Sequence, residues 1–234
     1  MSEFKNYRKY LEFTKWLHHN RCYISKLDIH FFSDDHRGVI LKKNLVKDEI
    51  FIKIPKDLLI SLEVAKSFPQ GNQVSSFMYT LNSPKHCLLS TFVLYERKNL
   101  DSKWKHYFDI LPKDYTNFPI FFSDKELNML KGSPFLSTIL EKKDDIQKDY
   151  KRICDLVPDF KQHSFKDFCE VRMAVSSRIF GIKIENKKTD VLAPFADLLN
   201  HKRPRQTHWL YDESLKSFVI QALEDIPAGN DVQV

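Results

Sequence analysis

The spacing of apolar positions changes character along the chain. Between residues 7 and 19, Tyr10, Leu11, Phe13, Trp16 and Leu17 recur at helical intervals in a charged segment, which predicts a short amphipathic helix. From Ile24 the pattern shortens to Ile29-His30-Phe31-Phe32, Val39-Ile40-Leu41 and Ile50-Phe51-Ile52-Lys53-Ile54. Turn-type residues Ser33-Asp34-Asp35 and Val46-Lys47-Asp48-Glu49 separate these runs, and Pro55 ends the last, so short strands are expected. Residues 62–182 return to helical spacing, with candidate helices at 76–96, 123–131, 137–154 and 164–180. Ser123-Asp124-Lys125-Glu126 and Ser164-Phe165-Lys166-Asp167 have the form of capping boxes, the second with Asp in place of Glu. Beyond residue 189 the elements shorten again: a helix-like 193–199, then strands Trp209-Leu210-Tyr211 and Phe218-Val219-Ile220-Gln221-Ala222 around the turn Asp212-Glu213-Ser214.

The expectation is an α+β fold in three stretches: an N-terminal helix and first strands over 1–61, a helical insert over 62–182, and short strands over 183–234. Two segments echo one another. Asn44-Leu45-Val46-Lys47-Asp48-Glu49-Ile50-Phe51-Ile52 and Asp225-Ile226-Pro227-Ala228-Gly229-Asn230-Asp231-Val232-Gln233-Val234 share a hydrophobe, a polar turn and an alternating strand. The unit is too short for a solenoid repeat and reads as two ordinary hairpin turns.

Composition removes several function classes. With 234 residues, 42% of them apolar, and 19 phenylalanines, the chain can bury a core. Its five glycines, Gly38, Gly71, Gly132, Gly181 and Gly229, are too far apart for a G-x-G fingerprint or a P-loop. The net charge of +6 favours acidic partners, but the densest basic run, His201-Lys202-Arg203-Pro204-Arg205, is five residues long and reads as a solvated loop, so no specific nucleic acid is expected. Cys22, Cys87, Cys154 and Cys169 are widely spaced and form no C-x-x-C, and Met1-Ser2-Glu3-Phe4-Lys5 begins no apolar leader. Reduced thiols in the cytoplasm or nucleus, no metal and no membrane partner are therefore expected.

Taken alone, Asn-His after a short helix reads as a C-terminal cap with an exposed histidine. In its context, Pro194-Phe195-Ala196-Asp197-Leu198-Leu199-Asn200-His201 resembles the Pro-x-x-Asp-x-x-Asn-His signature of SET-domain protein methyltransferases, in the branch with Rubisco large-subunit and ribosomal-protein lysine methyltransferases. Further pieces resemble the same branch in the same order. Asp35-His36-Arg37-Gly38-Val39 is similar to its first hairpin, and Ile50 through Pro55 to the strand that follows. Trp104-Lys105-His106-Tyr107-Phe108 and Phe118-Pro119-Ile120 are similar to its helical insert, and Ser177-Arg178-Ile179-Phe180 to the helix preceding the signature. The resemblance implies a SET-type fold of short strands split by a large helical insert, and S-adenosyl-L-methionine as cofactor.

By resemblance, Arg178 would approach the methionine carboxylate of that cofactor, where a planar guanidinium suits bidentate pairing. Asp35, His36 and Arg37 would wrap its methionine end, although His36 stands where this family often has another glycine. Asn200 and His201 would meet adenine and ribose, with Asp197, Leu198 and Leu199 as the adjoining wall, inside a knot-like crossing of the C-terminal strand.

The implied activity is lysine N-methylation of a protein substrate, with ribosomal, histone or other lysine-bearing proteins as candidates. The family's orienting tyrosine would fall just past Val234, so no catalytic residue is assigned, and this chain is expected to be short of the complete enzyme. The alternative is a catalytically silent module of the same fold that binds cofactor or a protein partner.

Overall fold

A computed structural model describes residues 7–33 and 37–234. In chain order the elements are α1 (Tyr7–His19), β1 (Leu27–Phe31), β2 (Arg37–Leu41), β3 (Ile50–Pro55), β4 (Ile60–Ser61), α2 (Leu62–Ser67), α3 (Pro69–Ser76), α4 (Pro84–Glu96), α5 (Lys105–Ile110), α6 (Asp124–Met129), α7 (Pro134–Leu156), α8 (Phe165–Ser176), β5 (Ile179–Ile184), β6 (Lys187–Leu192), β7 (Thr207–Asp212) and β8 (Ser217–Ala222). The α+β class holds, and the chain divides into two compact units. Unit 1 comprises Met1–Ile60, Lys103–Ile110 and Arg178–Val234, and unit 2 comprises Ser61–Ser102 and Leu111–Ser177. Residues 103–110 and 178–182, which fall in the helical insert as read from the sequence, group with unit 1.

Unit 1 is built from short antiparallel sheets. β1 and β2 pair from Leu27 opposite Leu41 to Phe31 opposite Arg37. β3, β8 and β7 form a second sheet, with a bulge between Ile50 and Ile52. The third has the order β4-β6-β5. Phe13 and Leu17 of α1 are fully buried, and the Phe13 ring lies 6.3 Å from that of Tyr107 on α5. Phe180 packs edge-on against Trp209 and Phe218, at 5.5 and 5.1 Å between ring centroids.

That placement corrects the helix expected over 164–180. Its last turn closes when Ser176 and Ser177 donate their hydroxyls back to the Met173 carbonyl, and strand alternation takes over from Ile179. Strands β5 and β6 turn at Glu185-Asn186, with φ of 50° and 60° at the two central residues, the signature of a type I′ hairpin. The helix-like 193–199 reduces to one 3-10 turn, Ala196–Leu198, because Pro194 and the positive φ of Phe195 (80°) are incompatible with a longer helix. The two echoing segments pair with each other: Leu45 and Ile226 exchange both backbone hydrogen bonds, at 2.9 and 3.0 Å. Each turn also caps the other, Asp225 Oδ1 accepting from Lys47 N and Asn44 Oδ1 from Ala228 N.

Unit 2 is helical. The helix expected over 76–96 is broken, since Pro84 can only open a helix, and α4 starts there. Eight consecutive residues of α4, Cys87 through Leu94, are buried. The carboxylate of Asp149, itself 1% exposed, accepts from the backbone of Asn82 and Ser83 just ahead of α4 and from Cys87 Sγ within it. Both capping boxes are present, Ser123 with Glu126 and Ser164 with Asp167.

Candidate functional site

Residues far apart in sequence converge on the segment that follows Phe195. The Asp197 side chain is fully buried, and burying a carboxylate is costly unless it is paired. Arg178 Nη1 meets that need by donating to Asp197 Oδ2 at 3.0 Å and to the Asp197 carbonyl at 2.9 Å, so the turn is clamped through both side chain and backbone. Tyr107 donates its hydroxyl to the same Oδ2, also at 3.0 Å. Arg37 lies across the Tyr10 ring at 5.1 Å, donates from Nε to the Tyr10 hydroxyl at 2.7 Å, and reaches the Leu198 carbonyl with Nη1 at 3.5 Å.

The C-terminal residues complete the arrangement. Residues 230–232 lie extended along β2, with Leu41 N donating to the Asn230 carbonyl and Val232 N to the Val39 carbonyl. Two residues on, the same stretch runs parallel to Asn200, whose carbonyl accepts from Val234 N at 2.7 Å. Residues 230–234, the chain's last extended strand, therefore bind β2 on one side and the 200–202 segment on the other, which fits a crossing of the chain through its own loop.

No family model matches the chain. It is 30% identical over 170 residues to the chloroplastic ribulose-1,5 bisphosphate carboxylase/oxygenase large subunit N-methyltransferase of Nicotiana tabacum, covering 70% of this chain and 33% of that protein. It is 25% identical over 234 aligned residues to the actin-histidine N-methyltransferase of Gallus gallus, covering 95% of this chain and 39% of that one. The crystal structure of the SET domain of LSMT bound to lysine and AdoHcy matches 98% of this chain with a TM-score of 0.84 at 22% identity, over 54% of that structure's chain. The chain has the SET-domain fold and is similar in sequence to SET-domain methyltransferases.

This SET chain spans only 33% to 39% of the length of the two relatives named. Of the residues singled out from its sequence, Arg37, Arg178, Asp197, Leu198 and Asn200 come together in unit 1. Asp35 and His36 lie outside the described residues. Leu198 and Leu199 are buried, whereas the His201 side chain is exposed. Arg178 stands between α8 and β5 rather than on a helix, and its charge is already balanced by Asp197.

Two contributors to the SET site escaped the sequence reading. Tyr107, assigned there to the insert, belongs to unit 1 and holds Asp197 across 90 positions, a separation no local pattern announces. Asp231 shows in the sequence only as one position of an alternating run, yet both of its oxygens are engaged at the crossing. Among the described residues no helix is long and apolar enough to cross a membrane, and no group of three or more His, Cys, Asp or Glu is placed to hold a metal. Unit 2 contains a cavity of about 250 Å³ lined chiefly by Ile120, Phe121, Ile146, Phe165 and Cys169, and none of the predicted site residues lines it.

Proposed function

We propose that this chain forms the cofactor-holding part of an S-adenosyl-L-methionine-dependent protein N-methyltransferase acting on a lysine or histidine side chain. The observation that carries the reading is the convergence of Arg37, Arg178, Asp197 and Asn200 on one segment of a SET-type unit. When bound, the cofactor supplies an activated methyl group, and it brings a carboxylate and several N–H donors that need partners. The residues present suit those needs. Arg37 and Arg178 provide guanidinium groups for the carboxylate. Asp197 Oδ1 is buried with no hydrogen-bond partner among the described residues, an acceptor waiting for a donor. Asn200 and the backbone of His201 offer further polar groups, and Asp35 and His36 stay in the proposal as the turn around the methionine end.

The chain's own contribution is positioning. The Asp197 clamp fixes the turn, and buried Leu198 and Leu199 keep water from it. Displacement at a methyl group needs a neutral acceptor nitrogen held in line, so orientation and water exclusion supply most of the rate and lower the pKa of an acceptor lysine. The acceptor is placed on a protein, with ribosomal and histone proteins as the first panel. Relatives are named for Rubisco, actin and fructose-bisphosphate aldolase, which widens that panel. The cytoplasm or nucleus is the proposed compartment, a reading supported by four free cysteines.

Calorimetric titration of the 234-residue chain with S-adenosylhomocysteine tests the reading. Saturable binding that disappears in Arg178→Ala while thermal melting shows the variant still folded is expected, and absence of binding by the wild-type chain overturns it. Transfer of labelled methyl to the protein panel then distinguishes an active chain from a silent cofactor-binding module.

A further inference from the structure

We infer that Asp231 is a positioning residue of this site: it fixes the amide orientation of Asn200, and so decides that Asn200 offers the cofactor a carbonyl rather than an N–H. The assignment rests on the cofactor reading above.

The argument begins with what a carboxylate can do. An ionised Asp only accepts, so any amide bonded to it must present its NH2 group. Asp231 Oδ2 accepts from Asn200 Nδ2 at 2.9 Å and from Gln233 Nε2 at 3.1 Å, while Oδ1 accepts from Val39 N at 3.2 Å. Because an amide is planar, turning Nδ2 toward Asp231 turns Asn200 Oδ1 away from it, on a side chain that is only half buried. An ammonium, an exocyclic amine or a ribose hydroxyl can donate to that oxygen; a carboxylate cannot use it.

Asp231 is itself tightly placed. Its backbone bridges to Ile40, and its side chain fills the space that Gly38 leaves open: a Cβ on Gly38 would stand 2.9 Å from Asp231 Oδ1 and 3.3 Å from its Cγ. The glycine therefore serves the close approach of a side chain as well as any freedom of its own backbone. One carboxylate thus joins β2, the last strand and the Asn200 turn, and it does so without standing in for any group that touches the cofactor.

Asp231→Asn is the direct test, because it keeps the shape and lets the amides reverse. Val39 N–H holds the oxygen of the new amide as its acceptor, so the NH2 group faces Asn200, which can satisfy it only by flipping, and that turns its N–H outward. The affinity for S-adenosylhomocysteine is read by calorimetry in a cycle with Asn200→Ala, with thermal melting as the check on folding. Asp231→Asn is expected to weaken binding about tenfold in the wild-type background, the equivalent of one lost hydrogen bond to a charged group. In the Asn200→Ala background it is expected to change binding by less than about twofold, because the group it acts through is gone.

A merely structural role would weaken both backgrounds equally, and that additive result overturns the assignment, as does unaltered binding by Asp231→Asn. If Asp231→Asn does not fold, Gly38→Ala replaces it in the same cycle, displacing the carboxylate without removing its charge. Absence of binding by the wild-type chain rejects the cofactor reading and this assignment together, whereas wild-type binding with an additive cycle rejects this assignment alone.

Discussion

Tyr107 reaches Asp197 from 90 positions away and donates to the oxygen that Arg178 already holds, so that a single buried carboxylate oxygen ties α5, the start of β5 and the signature turn together. Tyr107 is fully buried, and its ring also packs against Phe13. Tyr107→Phe keeps the ring and deletes only the hydroxyl. It is expected to cost about 1.5–3 kcal/mol in urea unfolding, the range for a hydrogen bond to a charged acceptor. Tyr107→Ala would lose much more, since it adds a large cavity in unit 1.

Arg178→Ala is expected to be worse for stability than an ordinary surface arginine change. The Asp197 side chain is completely buried and that of Arg178 is 14% exposed, so removing the cation strands a carboxylate in the interior. The expected loss is about 3–5 kcal/mol, and Arg178→Met combined with Asp197→Leu should be less damaging than Arg178→Ala alone, because no unpaired charge is left behind. Chemical denaturation of the variants checks the order.

Gly71 separates steric need from backbone freedom. A Cβ there would lie 1.7 Å from the Ala65 carbonyl oxygen, a backbone atom that cannot swing aside. Gly71→Ala is therefore expected to shift α3 against α2 and destabilise unit 2 by roughly 2–4 kcal/mol, in the overpacking class. At Gly132 a Cβ meets nothing within 4 Å but φ is +90°, so Gly132→Ala should cost only about 1 kcal/mol of strain. A larger effect at Gly132 than at Gly71 would contradict this ordering.

His163 gives unit 2 a pH dependence. It is 1% exposed among the rings of Tyr95 and Phe160. Burial pushes its imidazole from the ordinary 6.5 down to about 4, Lys98 adds to the shift, and Asp167 and Asp159 oppose it. Below pH 6.5 the unfolded chain takes up a proton that the folded chain refuses until about pH 4. The neutral ring's contribution is thus complete above 6.5 and is lost as pH falls toward 4, by roughly 3–4 kcal/mol in all. Urea midpoints at pH 7 and pH 5 should differ more for the wild type than for His163→Gln, in which this source of the slope is gone.

The sequence carried the elements whose signals are local, and the site largely through its signature. The strands of β1 to β3 showed as alternation, both capping boxes as spelled motifs, and Arg178, Asp197 and Asn200 through an eight-residue pattern and its neighbours. What stayed hidden was decided by tertiary partners. The β5-β6 hairpin turns on Glu185-Asn186, not the Asn-Gly or Asp-Gly pair that advertises such a turn, and Phe180 reads as helical in the sequence because its strand partner is Val191 on β6 and the rings it packs against lie on β7 and β8. Pro84, which opens α4, is itself a local signal against one continuous helix over 76–96. Asp231 had no local signal, because a carboxylate in an alternating strand looks like a solvent-facing residue until the amides that surround it are known.

The bond from Val39 to Asp231 spans 192 positions. On a ribosome adding 5–20 residues per second, that interval is roughly 10–40 s, during which β2 exists and the strand that completes it does not. The β1-β2 hairpin must wait with one edge open through the synthesis of all of unit 2, and the Asn200 turn must stay open enough to admit residues 230–234. On the proposed function, cofactor affinity is thus a property that cannot arise before residues 229–234 have been made, and a nascent chain stalled before residue 229 should be unable to retain the ligand however well its helices have formed.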